Sequence, residues 1–124
     1  MLPSPARIFI VDDDDAVRDS LRMLLESYGM EVEDFASTGE FARHYRPGNG
    51  QCLVLDQHLP NLSGLDFLAS PQGAMLKIPV ILVTGRGDAS IRDRAYALGA
   101  LEYLEKPVSE ERLLAAIAKA LGTD

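Results

Sequence analysis

Five short runs rich in apolar residues punctuate the chain, and each gives way to a polar break followed by residues spaced as on a helix. They are Ile8-Phe9-Ile10-Val11, Glu31-Val32-Glu33-Asp34-Phe35, Leu53-Val54-Leu55-Asp56, Val80-Ile81-Leu82-Val83 and Leu101-Glu102-Tyr103-Leu104-Glu105. Short, almost wholly apolar runs fit strands buried on both faces, which is the situation inside a parallel sheet covered by helices. The second run alternates weakly and predicts a strand with one partly wet face. The charges of the fifth predict a strand at an edge of the sheet.

Between these runs the period changes to that of a helix. Val17, Leu21, Leu24, Leu25 and Tyr28 stand at helical spacing and predict a first helix, with Gly29 positioned to end it. Ser37-Thr38-Gly39-Glu40 resembles a capping box, opening a helix from about Gly39 that carries Phe41 and Tyr45 and stops at Pro47-Gly48-Asn49-Gly50. After the turn Pro60-Asn61-Leu62-Ser63-Gly64 a third helix buries Leu65, Leu68 and Leu76, its later half left open by Pro71 and Gly73. Asp88 or Ser90 caps a fourth, with Ile91, Ala95 and Leu98 on one face and Gly99 at its end. Ser109-Glu110-Glu111 opens a fifth, packing Leu113, Leu114, Ile117 and Leu121. Alternation of this kind with short links predicts an α/β fold: a doubly wound, five-stranded parallel sheet with right-handed crossovers and helices on both faces.

The 124 residues make one domain. Cys52 is the single cysteine and opens the third apolar run, so the chain reads as reduced rather than disulfide-stapled. No leader pattern and no membrane-length apolar segment stands out, and the expectation is a soluble, cytoplasmic protein. The net charge of −7, with cations scattered among more numerous acids, argues against direct nucleic-acid binding.

In such a sheet ligands bind beyond the carboxyl ends of the strands. Four strands end there in polar groups: the first in Asp12 and Asp13, the third in Asp56, the fourth in Thr84 and the fifth in Lys106. Helix capping accounts for the neighbouring Asp14 and Asp15 but not for Asp12 and Asp13. Asp56 taken alone also has a capping explanation. Three carboxylates in one cleft repel each other, and Lys106 supplies only one compensating charge. An oxygen-only donor set suits a hard divalent cation, and Mg²⁺ is the expected cofactor. Mg²⁺, a lysine, a hydroxyl and a carboxylate are the parts needed for phosphoryl transfer, with Asp56 between the acid pair and Thr84 as the nucleophile.

Val11-Asp12-Asp13, LVLDQHLPNLSG, ILVTGRGD and EYLEKPV resemble the receiver domain of two-component response regulators, close to the nitrogen-fixation regulator subgroup. The likeness runs from about residue 7 to residue 121. It implies a flavodoxin-like (CheY-like) fold with strand order 2-1-3-4-5. Asp56 would be the phosphoacceptor and Asp13 a direct Mg²⁺ ligand, with Asp12 holding a metal-bound water. The backbone carbonyl of His58 would complete the protein's metal ligands. Lys106 would pair with phosphoryl oxygens and Pro107 would follow a cis peptide bond. Thr84 and Tyr103 would form the switch, while His58 and Arg86 would flank the path of the hydrolytic water and tune dephosphorylation. Leu59 departs from the family's usual Met, a volume-conserving change. The implied partners are a sensor histidine kinase and an output domain or partner protein. A second copy, docking through the face of the fourth helix, fifth strand and fifth helix, is the third implied partner. Arg92, Arg94, Glu102, Glu105 and Arg112 are candidates for the charge on that face, or ordinary surface.

Two other classes compete. Asp13-Asp14-Asp15-Ala16-Val17 fits the D-x-D-x-V pattern of haloacid-dehalogenase-type phosphatases, with Asp13 as nucleophile, although that leaves Asp56 without a role. A flavodoxin-like nucleotide binder would need backbone donors after the first strand, where this chain has acids.

Overall fold

In the computed structural model, which describes residues 5–122, five parallel strands form one sheet. They are β1 (Arg7–Val11), β2 (Glu31–Phe35), β3 (Cys52–Asp56), β4 (Val80–Thr84) and β5 (Glu102–Glu105), in the order β2-β1-β3-β4-β5. This is the doubly wound α/β architecture predicted above. β3 and β4 are buried at every position, whereas β2 and β5, with their exposed or half-buried acids, are the edges.

The pleat sends successive strand residues to opposite faces, and each face has its own core. Ile8, Ile10, Val54, Ile81 and Val83 meet α1 (Asp15–Ser27) and α6 (Glu110–Leu121) through Leu25, Leu113 and Ile117. Phe9, Val11, Leu53, Leu55 and Leu82 meet α2 (Thr38–His44), α3 (Gly64–Ala69) and α5 (Ala89–Ala97) through Phe41, Leu65, Phe67, Leu68 and Ala95. Cys52 belongs to the first core, and burial pushes its thiol up to about 12, which makes it packing rather than chemistry. Among the described residues no helix is long and apolar enough to cross a membrane.

Two local expectations are corrected, and one residue of the first helix lies apart from the core. The helix after Asp56 is two: α3 stops at Ala69, and Ser70, held extended before proline, caps the four-residue α4 (Pro71–Ala74). The pattern's fourth and fifth helices are therefore α5 and α6. Tyr28 keeps the helical spacing but sits at the C-cap of α1 and is 55% exposed; its hydroxyl donates to Glu110 at 3.0 Å. The capping box is displaced: Ser37 accepts from the Glu40 N–H, but the Glu40 carboxylate reaches Ala36 rather than Ser37. Of the two capping candidates for α5, Asp88 is the cap.

Candidate functional site

Parallel pairing brings the ends of β1, β3 and β4 level with one another, and the polar residues that close their apolar runs share one edge. Asp12, Asp56 and Thr84 are the polar groups buried there, at 3%, 4% and 0% exposure. Lys106 follows β5, its N–H bonded to the Thr84 carbonyl at 2.8 Å, and the Lys106–Pro107 peptide is cis. From that position the ammonium lies 3.3 Å from Asp12 Oδ2 and 3.3 Å from Asp56 Oδ1. Asp13 is exposed, yet it offers a carboxylate oxygen that groups with one from Asp12 and one from Asp56, all within 4.8 Å. A cleft of about 570 Å³ opens beside this cluster, with Ala16, Val17, Leu21, Val108 and Leu113 as its apolar walls.

The site is short of positive charge. Burial pushes the Asp56 carboxyl above the usual carboxylate range and the charge on Asp12 adds to the effect, while Lys106 and the His58 main chain pull the other way. Burial by itself would lower the Lys106 ammonium; Asp56 and Asp12 outweigh it and hold the lysine protonated above its ordinary value. Asp56 Oδ1 is buried and receives no hydrogen bond. Three converging carboxylates, with one ammonium among them and no soft ligand in the cluster, fit a small hard cation.

Thr84 has its hydroxyl engaged twice: the Arg86 N–H donates to it at 3.2 Å, and the His58 imidazole Nε2 lies 2.9 Å away. Arg86 thus meets Thr84 through its main chain, while its side chain is exposed. Tyr103 packs against the core that contains Leu82 and Ala95, and its hydroxyl is buried without a hydrogen-bond partner. The ring is seated under Gly87, where any Cβ would overlap the Tyr103 hydroxyl. Burial, then the charges of Glu105 and Asp88, raise the phenol above its ordinary value.

Sequence reasoning missed two supports of the cluster. Arg18 donates to the Asp12 carbonyl at 2.7 Å and pairs with Asp15 and, at 3.5 Å, with Asp34, so it ties the end of β1 to α1 and β2. Its place one helical turn beyond Asp15 was the available signal. Gly64, at the start of α3, packs where a Cβ would stand 2.7 Å from the Asp56 carbonyl oxygen. The phosphatase pattern fares worse: Asp14 caps α1 and Asp15 pairs with Arg18, so neither joins Asp13 in the cluster.

The protein-family model described as response regulator receiver domain matches residues 8–118. Nodulation protein W of Bradyrhizobium diazoefficiens is 40% identical over 96% of this chain and 52% of its own length. Transcriptional regulatory protein FixJ of Azorhizobium caulinodans is 37% identical over 98% of this chain and 57% of its own. The chain thus spans about half the length of these relatives. Among solved structures, a response regulator receiver domain protein from Clostridium thermocellum superposes with a TM-score of 0.86 at 33% identity, covering 94% of each chain.

Proposed function

The chain belongs to the response regulator receiver domain family, and from that premise we propose that it is a switch thrown by phosphorylation of Asp56. The observation that carries the reading is the placement of Asp56: a buried carboxylate with one oxygen free of hydrogen bonds, 3.3 Å from the Lys106 ammonium and grouped with Asp12 and Asp13. The donor is the phosphohistidine of a sensor histidine kinase. A carboxylate oxygen of Asp56 attacks phosphorus in line, the P–N bond to the donor breaks, and the bonding pair leaves on the imidazole.

Asp13, Asp56 and the His58 carbonyl would hold Mg²⁺, with Asp12 behind them. When bound, the ion offsets the carboxylate repulsion and the charge on the transferring oxygens. Lys106 stands where it can pair with a phosphoryl oxygen of Asp56, and Thr84 supplies a hydroxyl donor to another. Moving a two-state equilibrium from mostly off to mostly on takes about 5.5 kcal/mol. Two hydrogen bonds to a charged group supply roughly 3–6 kcal/mol, the same order. Movement of Thr84 and Tyr103 then reshapes the face of α5, β5 and α6. An output domain, a partner protein or a second copy reads that face. The relatives named as transcriptional regulators suggest transcription as the output, with the whole system in the cytoplasm.

The test is site-mapped phosphorylation with acetyl phosphate and Mg²⁺, the acyl phosphate being trapped by reduction and located by mass spectrometry. Label is expected on Asp56 and absent from Asp56→Asn. Label on Asp13 with steady phosphate release would replace the switch with a phosphatase.

A further inference from the structure

Building on the reading of Thr84 as the hydroxyl that moves onto the phosphoryl group, we infer that the His58 imidazole is a latch that holds Thr84 in its resting position. Thr84 is fully buried, and its hydroxyl oxygen lies between the Arg86 N–H at 3.2 Å and His58 Nε2 at 2.9 Å. A threonine hydroxyl has one proton and two lone pairs, so these two contacts leave it little freedom. Whichever tautomer His58 adopts, the bond fixes the hydroxyl toward the imidazole. A swing toward Asp56 breaks it.

The latch is built to release. His58 is exposed, so its ring can turn from Thr84 toward solvent. When the imidazole lets go, the Arg86 amide still donates to the Thr84 oxygen, and the hydroxyl proton is left to donate to a phosphoryl oxygen on Asp56. The same residue lies two positions beyond the phosphoacceptor, so its main chain adjoins the acid cluster while its ring reaches a residue 26 positions away on β4. His58 is therefore a positioning residue acting through Thr84, distinct from a role in admitting the hydrolytic water. One hydrogen bond of net worth favours the resting state by about fivefold, and a ligand that needs Thr84 released binds more weakly by that factor.

Beryllofluoride with Mg²⁺ mimics the phosphoryl group without being hydrolysed, which isolates the latch from any effect on phosphate lifetime. The full chain is titrated with it while the Thr84 amide is followed by NMR. His58→Ala keeps the backbone carbonyl and is expected to bind about fivefold more tightly than wild type, and His58→Gln, whose amide can still reach the hydroxyl, should recover part of the restraint. In a Thr84→Ala background the His58→Ala gain should vanish. Equal or weaker binding by His58→Ala, or a gain that persists without the Thr84 hydroxyl, overturns the latch alone. A wild-type chain that takes up no beryllofluoride overturns the phosphoacceptor reading and the latch with it.

Discussion

Asp56 must be an anion to act as a nucleophile, yet its surroundings disfavour that anion. Burial and the Asp12 charge raise its carboxyl above the unfolded value, so the folded chain binds this proton more tightly than the unfolded chain does. The contribution to stability is therefore greatest when Asp56 is protonated, and it falls as pH rises from the ordinary carboxylate range through the raised folded value. Asp56→Asn has no such dependence. In metal-free buffer near neutral pH it should melt about 4 °C above wild type, on the order of 1 kcal/mol, and the gap should close on acidification. Thermal melts followed by circular dichroism decide it, and an equal or lower melting temperature near neutrality would contradict the charge argument. At Gly87 the constraint is steric: a Cβ would overlap the Tyr103 hydroxyl and stand 2.8 Å from Cζ. Gly87→Ala should expel the ring, costing roughly 1–3 kcal/mol and moving the Tyr103 phenol back toward its ordinary pKa in an NMR titration; an unchanged titration would mean that the loop, not the ring, gives way. The acids, Thr84 and Lys106 were legible in the sequence because each ends a run of contrasting character. The His58–Thr84 bond and the Arg18 bridge were not, since side-chain reach between segments leaves no periodic trace.

The elements are legible for a similar reason. Strands β1, β3 and β4 are apolar because both their faces meet helices, and the residues that show this are contiguous in sequence. What a pattern cannot show is how close two elements come. α3 starts against the end of β3, with the Gly64 N–H donating to the Gln57 carbonyl at 3.1 Å and the Leu65 N–H to the Gln57 side chain at 2.8 Å. A Cβ on Gly64 would stand 2.7 Å from the Asp56 carbonyl oxygen and 2.8 Å from a Leu82 methyl carbon. Backbone oxygen does not yield as a side chain does, so Gly64→Ala should push α3 away from the strand that carries Asp56. The expected cost is about 2 kcal/mol, together with a slower rate of acetyl-phosphate labelling at Asp56. A variant with wild-type stability and labelling would show that the junction has slack. The break at Ser70 was half legible: Pro71 announced an interruption, but whether the chain would bend, stop or restart depends on the Ser70 side chain accepting from Gly73, a choice made by local capping.

At the scale of the molecule, the two cores share β1, β3 and β4, so one side cannot be dismantled without exposing the other. A domain built this way unfolds as a unit, and a ligand at one edge of the sheet stabilises all of it by mass action. Burial and the charge on Asp12 disfavour the Asp56 anion in the metal-free fold, and a divalent ion held among Asp12, Asp13 and Asp56 would offset that cost as it binds. Mg²⁺ at ten times its dissociation constant should therefore add about 1.4 kcal/mol, or roughly 5 °C in the melting temperature. Screening alone would act on the same acids, so the control is monovalent salt at matched ionic strength. Asp13 is the informative position, because it is exposed and its charge can be removed without opening a core. Metal-free Asp13→Asn should melt no lower than wild type, having lost a like charge, and should gain little from Mg²⁺. If Mg²⁺ and monovalent salt shift wild type equally, or if the Mg²⁺ shift survives in Asp13→Asn, the acids are repelling one another without holding an ion, and Lys106 alone sets the charge against which Asp56 must react.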